Sequence, residues 1–277
     1  MSFKSILVHV DDVEASQPRL DAAIRVALRF QARLIGLYLV PAIDISSSVA
    51  ALIPPDVIER RQREMAQAQR DAEQTFRKAT AAAGLAAVEW RAPPGSPIES
   101  AIAHARCADL LIVGQRNPPG QLLAEELVTT VLLASGRPML IVPYIGARPT
   151  LGDNVLVAWD GGREASRAIA DALPLLERAR RVTVIAVSRE ETAAAEGSPA
   201  EARLGAWLRE HGVDVEIARH AVGDVTAGEW LLSRAADLGS DLIVMGGYGH
   251  TRVRELILGG VTRTMLQAMT VPVLMSH

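Results

Sequence analysis

Two six-residue strings constrain this chain more than anything else in it: Asp109-Leu-Leu-Ile-Val-Gly114 and Asp241-Leu-Ile-Val-Met-Gly246. Each is a short apolar run between an aspartate and a glycine, the pattern of a strand buried on both faces. Their surroundings repeat too. Ser5–Val10, ending at Asp11, returns as Asp153–Asp160. A helical pattern at Ser16–Phe30, with Leu20, Ile24, Ala27 and Leu28 on one face, returns at Glu164–Leu176. Arg33–Val40 and Arg181–Val187 are second strands, and Val88–Arg91 and Val213–Ile217 are third strands. Fifth strands open at Pro138 and Pro272, where a missing N–H costs no ladder bond.

Strands separated by helical patterns are βαβ units, and βαβ units make parallel sheets. The expected helices are Val57–Ala83 and Ile98–Arg106 in the first half, and Pro199–His211 and Thr226–Asp237 in the second. Pro41–Pro55 reads as a loop. The chain of 277 residues therefore divides into domains 1–146 and 147–277, each of ordinary size, meeting in the turn-rich Gly146–Gly152.

The second half carries a glycine constellation behind its fourth strand. Gly246, Gly247 and Gly249 follow Met245, and Gly259 and Gly260 precede a helical pattern. Glycine lets a backbone approach a ligand closely and tolerates φ > 0. A strand, a glycine loop and a helix start together suit a phosphate. No Lys follows these glycines, so the Walker pattern is absent. Arg252 stands where a dinucleotide fingerprint needs its third glycine.

What remains is Gly246-x2-Gly249-x9-Gly259, which resembles the signature of the ATP-binding universal stress proteins. Gly260 departs from it, because the signature has Ser or Thr there; Thr262 could supply the hydroxyl instead. With both repeats in view the whole chain resembles a tandem member of that family. The resemblance implies an α/β fold of two tandem, doubly wound, Rossmann-like parallel sheets of strand order 3-2-1-4-5. It also implies that the halves pair antiparallel through their fifth strands, as an internal mimic of a dimer, with Met139–Val142 and Val273–Met275 at the seam. Further assembly into a homodimer stays open.

The resemblance assigns a nucleotide site to the second half, in the crevice between its first and fourth strands. Asp160, after Ala158 and Trp159, matches the carboxylate beside the nucleoside. Val187 matches the position whose backbone meets the adenine edge. Met245, Tyr248, Val261 and Thr262 match positions lining the nucleotide. Gly246, Gly249, Gly259 and Gly260 would present N–H groups to phosphates, with His250, Arg252 and Arg254 adding charge. The plainer alternative for Asp160 is an ordinary helix N-cap. The implied ligand is ATP, normally carried with Mg²⁺, for which no dedicated carboxylate cage is present.

The first half departs from this pattern. Its fourth strand exits through Gly114-Gln-Arg-Asn117, and aligning back from Pro138 puts Glu125 and Glu126 opposite Gly259 and Gly260. Two carboxylates there would repel a phosphate, so ATP binding in the family manner is not expected in that half.

The totals exclude several classes. With 29 basic and 32 acidic residues the net charge is −3, which makes no case for nucleic acid or an anionic membrane. No run is long enough to span a bilayer, and the N-terminal apolar run is too short for a signal peptide. The single cysteine, Cys107, permits no internal disulfide and reads as a small buried helical residue. A cytoplasmic protein is expected. His9, His104, His211, His220, His250 and His277 show no metal-ligand spacing. No acid–base pair beside the glycine loop is assignable, so ATP turnover would be slow or nil. The expected function is an ATP-binding stress-response or signalling module. A slow ATPase or nucleotidyl transferase, and a nucleotide-free interaction scaffold, remain open.

Overall fold

Alternation along the strands decides the layers. In β1 (Ser5–Val10) Ile6, Val8 and Val10 belong to one hydrophobic cluster and Leu7 to the other. A strand whose two sides are both apolar must be covered on both faces. The computed structural model describes residues 2–11, 13–39, 54–115, 122–145, 149–188, 198–221, 226–249 and 260–277, without the side chains of 13–15, 122–126, 187–188 and 220–221.

The chain runs β1, α1 (Val13–Phe30), β2 (Arg33–Tyr38), α2 (Pro55–Ala82), β3 (Val88–Arg91), α3 (Pro97–Ala105), β4 (Leu110–Gly114), α4 (Leu122–Ser135) and β5 (Met139–Val142). It continues through β6 (Asn154–Trp159), α5 (Arg163–Leu176), β7 (Arg181–Ser188), α6 (Pro199–Glu210), β8 (Val215–Ala221), α7 (Ala227–Asp237), β9 (Leu242–Gly246), α8 (Gly260–Ala268) and β10 (Val273–Ser276). The loop expected over Pro41–Pro55 lies mostly outside the described residues.

All ten strands form one sheet, in the order β3-β2-β1-β4-β5-β10-β9-β6-β7-β8. Each half contributes the doubly wound order 3-2-1-4-5. Within each half the strands are parallel, and at the seam β5 and β10 are antiparallel, with Val273 opposite Ile141 and Met275 opposite Met139. Met139, Leu140, Ile141, Val273, Leu274 and Met275 are all fully buried. Burial of such a side chain stabilises by about 1.5–3 kcal/mol, so the seam is core rather than a surface contact. Helices α1, α2, α5 and α6 cover one face of the sheet and α3, α4, α7 and α8 the other.

The two repeated aspartates tie strand starts together. Asp109 Oδ2 accepts from the amides of Lys4 (2.7 Å) and Ser5 (2.9 Å) at the head of β1. Asp241 Oδ1 accepts from Gly152 (3.0 Å), Asp153 (3.1 Å) and Asn154 (2.9 Å) at the head of β6. A carboxylate accepting amide hydrogens makes a charge-assisted bond, stronger than a neutral one. In both halves this joins the first strand to the fourth, the two that flank the crevice.

Three local features depart from the expectations. Helix α1 begins at Val13, three residues before the expected Ser16, with Pro18 inside it. Helix α4 is not among the helices expected above; its Leu127, Val128, Val131 and Leu132 are buried in the cluster shared with α3, while Thr129, Thr130, Leu133 and Ala134 are only partly covered. Cys107 is exposed, in the turn that follows α3.

Candidate functional site

At the carboxyl end of the second half the strands part. The β6–β9 ladder stops at Val157↔Val244, and the β6–β7 ladder stops at Trp159↔Ala186, one residue short of Val187. On its other side Val187 pairs with His220 of β8. The last residues of β6 and β9 thus diverge at the switch point of strand order, where open α/β sheets bind ligands.

Asp160 stands exposed at this mouth. Its Oδ1 accepts from Gly162 N at 2.8 Å, a turn closed over two residues. Gly162, not Asp160, is the N-cap of α5. Ala158, Met245, Tyr248 and Val261 gather on one face of the sheet, whereas Trp159 packs against the opposite cluster. Gly259 and His250, with Arg252 and Arg254, lie outside the described residues.

The glycines have separate reasons to be glycine. A Cβ on Gly246 would fall 2.6 Å from Ala165 N and 2.8 Å from Glu164 Cβ, because the first turn of α5 crosses the end of β9 there. A Cβ on Gly247 would fall 2.7 Å from Leu132 Cδ2, so that glycine admits α4 of the first half. Gly249 faces the Glu164 carboxylate, with Oε2 3.1 Å from where its Cβ would be. At Gly260, among the described residues, a Cβ would meet no atom within 4 Å. The described residue of this loop with φ > 0 is not a glycine but Tyr248, at φ 54°.

Two amides of the loop already have partners. Gly247 N donates to Ser276 O (2.9 Å), and Tyr248 N donates to Thr262 Oγ1 (3.3 Å). The Thr262 hydroxyl therefore closes the loop onto α8. The Tyr248 hydroxyl reaches into the first half and shares a 2.8 Å hydrogen bond with Thr129 Oγ1 on α4. His277 Nδ1 lies 3.0 Å from Gly247 O.

The matching crevice of the first half is filled from within. Arg19 on α1 pairs with Asp11, the counterpart of Asp160, and donates from Nη2 to Ser16 Oγ at 2.7 Å. Its Nη1 lies 2.5 Å from where a Cβ on Gly114 would be, so the guanidinium caps the end of β4. Burial lowers Arg19 to about 10, which leaves it protonated near neutrality. His9 lies 3.9 Å from Asp11 Oδ2, yet burial, helped by the charge on Arg19, lowers its pKa to about 3, so it is a neutral neighbour and not an ion-pair partner. Arg19 was not visible as a site residue from sequence. Its only signal was a cation at a helix position facing an apolar strand. Asn117 and the side chains of Glu125 and Glu126 lie outside the described residues.

The universal stress protein family model matches residues 2–143 and again residues 152–277. The chain belongs to the universal stress protein family. A universal stress protein of Synechocystis sp. is 28% identical over 178 residues, a match that takes in 60% of this chain and 57% of that relative, less than two thirds of its length. The fold of a universal stress protein from Archaeoglobus fulgidus superposes with a TM-score of 0.76 at 19% identity, covering 98% of this chain and 97% of the other. A Pseudomonas aeruginosa protein of unknown function gives a TM-score of 0.61 at 19% identity, covering 99% and 92%.

Within this universal stress protein, Glu164 lies against Gly246 and Gly249, a contact the sequence did not disclose. Burial opposes its ionisation. Hydrogen bonds from its own backbone amide and from Arg163, with the charges of Arg163 and His277, nevertheless hold its carboxyl below the usual range. Among the described residues, no group of three or more His, Cys, Asp or Glu could hold a metal ion by itself. Among the same residues, no helix is long and apolar enough to cross a membrane.

Proposed function

We propose that this universal stress protein is an adenine-nucleotide-binding module of a stress or signalling response, with ATP held in the second half and little or no hydrolysis. The observation that carries the reading is the difference between the two crevices. In the first, Asp11 is engaged by the buried Arg19, whose guanidinium covers Gly114. In the second, Asp160 is exposed and its carboxylate bonds within its own turn, to Gly162 N, and among the described residues no atom lies within 4 Å of where a Cβ on Gly260 would be.

The roles follow from chemistry. Asp160 accepts from ribose hydroxyls, and the backbone of Val187 meets the adenine edge beyond the last β6–β7 pair. Ala158, Met245 and Val261 form the apolar floor. Gly249, Gly259 and Gly260 offer amides to the phosphates, with His250 adding charge. Gly246 serves by letting α5 close in, and Trp159 supports Asp160 from the other face. The two halves act as an internal pair, in the cytoplasm, with domains 1–146 and 147–277.

Titration calorimetry of the full chain with ATP and Mg²⁺ tests this, beside mass spectrometry of nucleotide released from the purified protein. Binding should be lost in Gly249→Val and weakened about tenfold or more in Asp160→Ala, the range expected for a charge-assisted hydrogen bond. No heat and no thermal shift at millimolar ATP–Mg²⁺ would end the reading.

A further inference from the structure

The first turn of α5 normally would welcome an anion, because its amides point outward unpaired. Here the turn supplies its own. The Glu164 carboxylate sits in that first turn, where Oε1 accepts from Arg163 Nε (3.1 Å) and lies 2.9 Å from Arg163 Nη2. The side chain is only 12% exposed. The second oxygen, Oε2, is turned onto the glycine loop, 3.1 Å from where a Cβ on Gly249 would sit. Glu164 also touches the other motif glycine, through its main chain and Cβ against Gly246. An ionised carboxylate is thus built into the loop proposed to receive phosphates.

Such a group opposes a bare polyphosphate, since like charges at a few ångströms repel strongly in partly buried surroundings. It suits a polyphosphate that arrives with a divalent cation. Mg²⁺ is commonly held by one or two carboxylates together with substrate phosphates, and it needs no all-protein cage. A single oxygen facing the loop is the donor such an ion requires of the protein.

We infer that Glu164 sets the ligand class of the second-half site, favouring a nucleoside triphosphate accompanied by a divalent cation over the bare one, with Oε2 as the protein's oxygen toward that cation. This rests on the nucleotide reading above. It concerns which charge state binds, and Glu164 is here a specificity residue.

Calorimetry with ATP, once with excess Mg²⁺ and once with EDTA, on the full-length chain and on Glu164→Gln, decides the matter. For the unaltered chain, removal of Mg²⁺ should weaken binding by about tenfold or more. In Glu164→Gln that ratio should shrink to roughly threefold or less, because free ATP binds better and ATP–Mg²⁺ worse. Glu164→Ala should move the ratio the same way, and the melting temperature of each variant checks that the fold survives. The same Mg²⁺ dependence in all three proteins, or an equal gain with and without Mg²⁺, overturns the role of Glu164 while leaving nucleotide binding intact. No heat from any protein in either condition takes this inference down together with the nucleotide reading.

Discussion

Arg29 and Arg178, 149 positions apart, each donate to the other's main-chain carbonyl: Arg29 Nη2 to Arg178 O at 2.6 Å, and Arg178 Nη1 to Arg29 O. The contact joins the last turn of α1 to the turn after α5, so it ties the two halves together within one chain. The pair is not equal, however. Arg29 also donates to Leu151 O (2.8 Å) and lies 3.4 Å from Asp153 Oδ1, whereas Arg178 stacks its guanidinium 4.4 Å from the Phe30 ring centroid.

Arg29→Ala should therefore destabilise the chain by about 1–2 kcal/mol, and Arg178→Ala by about 0.5–1 kcal/mol, since Arg178 is the more exposed. Urea unfolding checks this. An unchanged midpoint for Arg29→Ala would mean that the Arg29 bonds to Arg178 and Leu151 do not hold the two halves together.

The Arg19–Asp11 pair makes a sharper case. Removing Asp11 strands a cation whose side chain is 7% exposed, and breaking a buried pair costs about 3–5 kcal/mol. Counting from the shared Glu-Ala-Ser at Glu14–Ser16 and Glu164–Ser166, Arg19 corresponds to Ile169. The double change Asp11→Asn with Arg19→Ile should therefore unfold at a higher urea concentration than Asp11→Asn alone. If the double variant is the weaker, Arg19 does more than neutralise Asp11.

His9 gives a pH dependence with a defined sign. Its folded pKa is about 3, against an unfolded value near 6.5. Between these values the unfolded chain binds a proton that the folded chain does not. Stability is complete above the unfolded pKa and falls as pH drops toward 3, by at most about 1.4 kcal/mol per pH unit from this group. His9→Asn removes that contribution, so its urea midpoint should decline less steeply between pH 6.5 and pH 4 than that of the unaltered chain. Parallel declines would show that His9 becomes protonated inside the fold.

The motif glycines should separate in the same experiment. Gly246→Ala drives a Cβ into the α5 backbone at 2.6 Å, and overpacking of that kind costs about 1–3 kcal/mol. Gly260→Ala meets no described atom within 4 Å and gains helix propensity at the start of α8. Its melting temperature should hold or rise while ATP affinity drops. Equal melting losses in the two variants would place Gly260 against a segment of the chain itself.

Much of this architecture was legible in the chain. The paired DL-strand-G strings, the proline before each fifth strand and the periodic helices marked a duplicated α/β unit, because hydrophobic spacing reports which side of an element is covered; the antiparallel seam was implied only by the family resemblance, since spacing does not report which strands of the two halves meet. Helix α4 was missed although its described part has a helical period, with Leu127, Val128, Val131 and Leu132 buried and Thr129 and Thr130 partly covered, because Leu133 and Ala134 on the partly covered side blur the apolar–polar contrast in the sequence.

What the linear order could not convey is which distant groups meet. Sequence alone determined that glycines crowd the end of β9 and that an aspartate ends β6. Tertiary structure decided that Gly246 yields to α5, that Gly247 yields to Leu132, and that Tyr248 reaches Thr129 across the seam. It likewise decided that Arg19 fills one crevice while Glu164 lines the other. The physical reason is that spacing along a chain encodes each residue's facing, whereas occupancy of a crevice depends on how far side chains from separate helices reach once the sheet has brought those helices together.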